Sequence, residues 1–254
     1  MDCWKRVAGK VAMAAILGLG TFGPGIAQQP PVHFWHPAGL PPGAIGSQQL
    51  ARGGPLPGFF QPVEIRVPAK VLISLAEGGR FREPTPGPVR VGLLVGQVYR
   101  LAAINLPYQP GVAVYPTIEI VDRLYAPRGM ETRFPVQIEL TREDLELAAQ
   151  GKFVTRVVYV EDPQAALPAL GTGDQSWFDV APGMDPLAVA DTLGRPIAIV
   201  RMGGRVPDGG EADMGFLFGC PPVMPLPAPA TSPTESKPKA APPAAKSRPE
   251  AAPK

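Results

Sequence analysis

Proline decides which parts of this chain can fold. Its 35 prolines crowd into residues 28–62 and 221–254, while residues 89–106 and 136–162 hold none. A proline has no backbone N–H to give to a ladder and locks its own φ, so a stretch with proline every few residues cannot sit inside a sheet. The Pro-free stretches, rich in Val and Ile, can. The expectation is one β-rich domain over residues 63–220, between a Pro/Gly-rich arm at 28–62 and an Ala/Pro/Lys-rich tail at 221–254. The tail has too little apolar surface to offset the entropy of ordering, so it is read as disordered. A folded unit of roughly 150 residues buries about 70 % of the surface its unfolded chain exposes, which is enough for a single core.

The first residues have the layout of a secretory signal. Lys5, Arg6 and Lys10 precede or flank an apolar run at residues 11–19, and Gly25 and Ala27 occupy the small-residue positions ahead of a cut between Ala27 and Gln28. Gly18, Gly20, Gly23, Pro24 and Gly25 interrupt the run, leaving it short of the ~20 apolar residues a membrane span needs. The expectation is a removable signal over residues 1–27 and an exported product, periplasmic or associated with the cell envelope, with no transmembrane helix after signal removal. Cys3 would leave with the signal. Cys220 then stands alone in an oxidising compartment, a candidate for an intermolecular disulfide; a reduced thiol at the domain edge is the competing reading.

Within the domain, apolar and polar residues alternate in Val63-Glu64-Ile65-Arg66-Val67, in Thr117-Ile118-Glu119-Ile120-Val121 and in Val136-Gln137-Ile138-Glu139-Leu140, the two-residue period of a half-buried strand. Residues 70–75, 89–95, 98–104, 153–160 and 196–202 add five more candidates. Turn chemistry separates them at Glu77-Gly78-Gly79, residues 84–88, Tyr108-Gln109-Pro110-Gly111 and Ala126-Pro127-Arg128-Gly129. Two helices interrupt the strands. Thr141 caps one that carries Glu143 and Asp144 in its first turn and stops at Gly151; Asp185 caps another that opens on Pro186 and ends at Gly194. The predicted fold is mostly β: an antiparallel sandwich, immunoglobulin-like or related, with one or two short helices.

The inventory of reactive residues is thin. The two histidines, His33 and His36, lie in the arm beside Phe34 and Trp35 with no acidic or Cys neighbour to complete a metal site, and these aromatics are read as docking the arm on the domain. Ser74 and Ser176 have no histidine partner and no Gly-x-Ser-x-Gly elbow, and no phosphate-cradling glycine motif occurs. No catalytic residue, cofactor or metal is expected. Of the acids Glu119, Asp122, Glu161, Asp162, Asp174 and Asp179, which could form a glycosidase pair or a calcium site only if they converge, Asp174 is the most loop-like. It lies three residues before Trp177, an aromatic on which a sugar could stack, so Asp174 and Trp177 are the candidate ligand contacts; turn residues beside a core Trp are the alternative.

The formal net charge of +2 offers no global field for nucleic acid. The tail is locally basic, with Lys237, Lys239, Lys246, Arg248 and Lys254 against Glu235 and Glu250. It is read as a solvated linker or as a tether to envelope proteins or anionic wall polymer, the latter sensitive to salt.

Four stretches carry a resemblance: Gly96-Gln97-Val98-Tyr99-Arg100-Leu101, Tyr115-Pro116-Thr117-Ile118-Glu119-Ile120, residues 134–162 and residues 185–205. They resemble uncharacterised exported proteins of planctomycete bacteria. The resemblance implies export and a shared domain, and it carries over no site residue. The sequence reading is therefore an exported, non-catalytic β-sandwich acting as a structural or interaction module of the envelope. A carbohydrate- or wall-polymer-binding domain comes second, and a carboxylate-dependent hydrolase third.

Overall fold

The computed structural model describes residues 35–107, 109–163, 177, 179–208 and 213–226. Eleven strands in these residues form two sheets. The smaller has the order β11 (Val223–Pro225), β5 (Val89–Leu94), β1 (Phe60–Arg66), β8 (Val136–Glu139). The larger has the order β3 (Arg80–Phe81), β2 (Leu72–Glu77), β6 (Val98–Ile104), β7 (Thr117–Ile120), β10 (Gly194–Met202), β9 (Val154–Glu161), with β4 (Thr85–Pro86) also paired to β2. The mostly β, sandwich-like fold matches the alternation in the sequence, and all eight expected strands are present within a few residues of their expected ends. One pairing departs from the antiparallel expectation: β1 and β8 run parallel. No hairpin joins them, since the chain crosses the whole of β2 to β7 between the two, and without a tight turn the antiparallel direction is not imposed.

The core lies between the sheets. In the larger sheet, register places Tyr99, Ile118 and Val200 side by side on β6, β7 and β10. They face Val63, Ile65, Val91, Leu93, Val136 and Ile138 of the smaller sheet in one continuous cluster. Tyr99 brings a polar handle into this layer. Its hydroxyl accepts from Leu94 N at 2.8 Å and donates to Pro222 O at 2.9 Å, fastening the approach to β11. Burial pushes its pKa up to about 12, against the lowering effect of the Leu94 N–H.

The expectation that the arm at 28–62 flanks the domain without structure of its own is corrected for its described residues, 35–62. Residues Ala44–Ala51 form helix α1, Ile45 and Ala38 are fully buried, and β1 itself starts at Phe60 with Pro62 inside it. Pro62 is tolerated because β8 pairs with β1 only from Val63 onward, so no donor is required of it on that edge. The domain also runs past residue 220, because Val223–Pro225 adds to β5. The other two helices are as expected. In α2 (Arg142–Ala149) Thr141 accepts from Asp144 N, and in α3 (Pro186–Leu193) the Asp185 carboxylate accepts from Leu187 N. The expectations for residues 1–27, for the arm before Trp35 and for the tail from residue 227 fall outside the described residues.

The second face of the larger sheet is covered as well. The alternation that buries Ile118 and Ile120 turns Thr117 and Glu119 the other way, and on β10 it turns Ile199 and Arg201 with them. Glu119 lies opposite Ile199 and Arg201 opposite Thr117, so the two charges are diagonal neighbours across β7 and β10. They meet at 2.6 Å with side chains 0 % and 2 % exposed. The cover over them is the arm. Gly46 N of α1 donates to Glu119 Oε1 at 2.7 Å, Arg201 Nε donates to Ala38 O at 3.1 Å, and Trp35 Nε1 donates to Asp191 Oδ1 of α3 at 2.9 Å. Trp35 therefore does dock the arm. The approach at position 46 is close, since a Cβ there would stand 3.0 Å from both the Cα and the carbonyl oxygen of Gly96 and the two backbones would have to part by a few tenths of an ångström.

At the other end of this face, Arg100 holds the turn at residues 213–220. Its guanidinium donates to Phe216 O at 3.0 Å and Tyr115 O at 2.9 Å and lies over the rings of Phe216 and Phe218. Burial, and then the charge of Arg205, bring its pKa down to about 10.

Neutralising Glu119 while leaving Arg201 buried removes one partner of a sealed pair, a change that typically costs about 3–5 kcal/mol. In Glu119→Gln the arm is expected to loosen first. Limited trypsin digestion should cut after Arg52 at least about tenfold faster than in the wild type, with the sandwich itself still resistant. An unchanged rate would show that the pair does not hold the arm.

Candidate functional site

The concave feature with the most varied chemistry lies at the free end of the larger sheet. β9 is the outermost strand there, paired to β10 through the run from Val154–Met202 to Gly194–Glu161. Its neighbours on either side are α2 and the start of α3. Between them runs a cleft of about 470 Å³ lined by Phe153, Thr155, Arg156 and Tyr159 from the β9 segment and by Glu143, Asp144 and Leu147 from α2. Trp177, Asp179 and Met184 close it from the segment before α3.

Arg156 organises the cleft. Asp144 in the first turn of α2 is almost fully buried, and Arg156 grips its carboxylate with two nitrogens, Nη2 to Oδ1 at 2.7 Å and Nε to Oδ1 and Oδ2 at 3.1 and 3.2 Å. Such a two-pronged contact fixes both side chains in one plane. The remaining Nη1 reaches Asp179 Oδ1 at 3.4 Å, and the guanidinium carbon lies 4.9 Å from the centre of the Trp177 ring. Burial works against the charge of Arg156, but hydrogen bonds to Asp144 and the charges of Asp144 and Asp179 outweigh it, so its pKa is raised. Tyr159 is shifted as well, its pKa raised by burial and then by the charge of Glu161.

The residues singled out from the sequence fare unequally. Trp177 lines the cleft. Asp174 lies outside the described residues. Cys220 is a free thiol, half-buried, packed against Ala76, Phe216 and Leu217 at the far end of the sheet's second face. Among the described residues the candidate acids do not converge: Glu119 is sealed against Arg201, Asp122 pairs with Arg195 at 2.5 Å, Asp179 joins Arg156, and Glu161 and Asp162 are exposed at the end of β9. Among the described residues no group of three or more His, Cys, Asp or Glu side chains is placed to hold a metal ion, and no helix is long and apolar enough to cross a membrane.

The sequence reading missed Arg156 and Asp144 altogether. The sequence assigns Asp144 only a place at the positive end of a helix dipole, and Arg156 only a place within the candidate strand at 153–160. The signal that could have joined them is the pairing of a first-turn Asp, three residues after its Thr cap, with a single Arg on the strand that follows the helix.

A comparison with protein-family models, curated proteins and solved structures finds no match for this chain.

Removing Arg156 strands a buried carboxylate, whereas removing both charges leaves an apolar contact in its place. Arg156→Met should cost about 3–5 kcal/mol in urea unfolding, and the double variant Arg156→Met, Asp144→Leu should recover most of that loss. Additive losses in the double variant would mean that the two side chains act separately.

Proposed function

We propose that this protein is an exported, non-catalytic β-sandwich that serves as an interaction module of the cell envelope, with the cleft beside β9 as its contact face. The observation that carries the reading is a pair of large apolar side chains left in water on the rim of that cleft, Phe153 at 67 % and Met184 at 58 % exposed. Single exposed hydrophobics are ordinary on any protein surface. Two of them flanking a concave site that also offers Trp177, Tyr159 and Val180 make a patch of the kind that partners cover.

The charged groups support binding over chemistry. Asp144 and Asp179 are both partners of one guanidinium, so they serve the architecture of the cleft and are not a free acid and base flanking a bond. The export half of the reading rests on the signal-like first residues and on the resemblance to exported planctomycete proteins.

Carbohydrate binding is the second reading, and Trp177 favours it, since an aromatic ring beside Thr155, Tyr159 and Asp179 is the arrangement a sugar face and its hydroxyls call for. The Arg156 guanidinium lies 4.9 Å from the centre of that ring and fixes its place in the cleft.

The test is sedimentation of purified protein with isolated cell envelopes. The wild type should pellet with them, and the variant Phe153→Ser, Met184→Ser should lose at least about tenfold in bound fraction, the order expected when two exposed anchors are truncated, with thermal unfolding unchanged. Equal pelleting of the two proteins, or none of either, would overturn the reading. Binding to a glycan array that is lost in Trp177→Ala would replace it with the second.

A further inference from the structure

The cleft beside β9 has a chemical character that matches a part of this same chain. Its charged lining is Glu143, Asp144 and Asp179 against Arg156 alone, so it is net acidic, and its outermost carboxylate, Asp179, is 84 % exposed on the rim. Beside these acids stand the rings of Phe153, Tyr159 and Trp177. Aromatic side chains next to carboxylates are the surface that takes a proline-rich segment bearing lysine or arginine. Proline rings lie flat on the aromatics, the extended polyproline conformation has little entropy left to lose, and the cations meet the acids.

Such a segment lies within the C-terminal tail. Residues 237–249 read Lys-Pro-Lys-Ala-Ala-Pro-Pro-Ala-Ala-Lys-Ser-Arg-Pro, with four cations and no acid. We propose that the cleft is the docking site of this segment of its own chain. The inference rests on the preceding reading that the cleft is a contact face, and it names what occupies that face when no outside partner does.

Length allows it. The described chain ends at Leu226, and the eleven residues from there to Lys237 span roughly 34 Å at ~3.1 Å per residue in extended form. A folded unit of this size has a radius of gyration of about 15 Å, hence an outer radius of about 19 Å and a surface path of about 60 Å to its opposite side; Lys246, roughly 62 Å of extended chain beyond Leu226, can cover that path. Charge complementarity, two net negative charges in the lining against four cations in the segment, favours the cleft. Because the segment carries five-membered rings where a strand would need N–H donors, it lies in the cleft against the rings and does not lengthen the β9 ladder. The docked tail then competes with any partner for Phe153 and Met184, and a partner must displace it. The contact is electrostatic at its rim, so salt loosens it.

The test uses the full chain and a full-chain variant with Lys237, Lys239, Lys246 and Arg248 all changed to Glu. Amide NMR spectra of the two are compared at about 20 mM and about 500 mM salt, conditions that bracket weak and strong screening, and at two protein concentrations. The expected result is that the Thr155, Arg156, Val157 and Tyr159 amides and the Trp177 indole differ between the proteins at low salt, converge at high salt, and keep their positions on dilution. Coincident spectra at these positions in low salt would overturn the inference. So would differences that fade on dilution, because they place the tail of a second copy in the cleft. If the tail makes no contact while envelope binding still depends on Phe153 and Met184, this inference falls and the reading it rests on stands. If the tail docks and envelope binding is absent, that reading falls and the docking stands.

Discussion

Two opposite charges sealed under a polypeptide arm set the organisation of this protein. Glu119 and Arg201 sit on neighbouring strands of the larger sheet, on the face turned away from the sandwich core, and both side chains are sealed from solvent. A buried ion pair of this kind is weak evidence for stability, because stripping water from two charges offsets much of their attraction. What the pair does supply is direction. Glu119 has a second oxygen that accepts from Gly46 N and Arg201 has an Nε that donates to Ala38 O, so the arm meets both charges in one position and one register, with Arg201 Nη2 left buried without a partner. Apolar contact then fills in around them, with Ile45 and Leu187 against Val121 and Ile199.

The consequence is a layered body with two covered faces and one open end. The smaller sheet closes the inner face of the larger one, while the arm, α3 and the turn held by Arg100 close its outer face. The end at β9 remains, and there the fold places a bidentate Arg–Asp contact beneath aromatic and apolar side chains exposed at the rim. A second charge network therefore does for the cleft what the first does for the arm, holding polar groups in fixed positions so that neighbouring apolar groups can be presented. The difference is exposure: the Glu119–Arg201 pair is sealed by the chain itself, whereas the cleft that Arg156 organises has Phe153 and Met184 exposed at its rim.

Strands, their turns and two of the three α-helices were legible in the sequence because each rests on local rules: alternation in 117–121 and 136–140, a Thr cap before Arg142, an Asp cap and first-turn Pro at Asp185 and Pro186. The arm was misread because its prolines dominate its composition, yet residues 43–54 contain none, and that window holds α1. Its helix has no side-chain cap and is held by tertiary contacts, which leave no local signature. The burial of Glu119 was hidden for a related reason. Alternation in a single strand assigns a polar residue to the outer face and is silent on whether that face is covered. The unbroken apolar run Ile197-Ala198-Ile199-Val200 on the adjacent strand was the available hint, since a strand apolar on both faces is buried on both. Of the candidate site, Trp177 was legible as an aromatic near a loop, but Arg156 and Asp144 were not, because their meeting depends on how α2 packs across β9.

The central claim is that the arm belongs to the folded body through the Glu119–Arg201 pair. Hydrogen exchange at the Gly46 amide tests it most directly, because that N–H is the donor to Glu119. The account predicts protection of Gly46 close to that of the β7 and β10 amides, released only when those strands open. Exchange of Gly46 at the rate of an unstructured peptide, with β7 and β10 still protected, would contradict it.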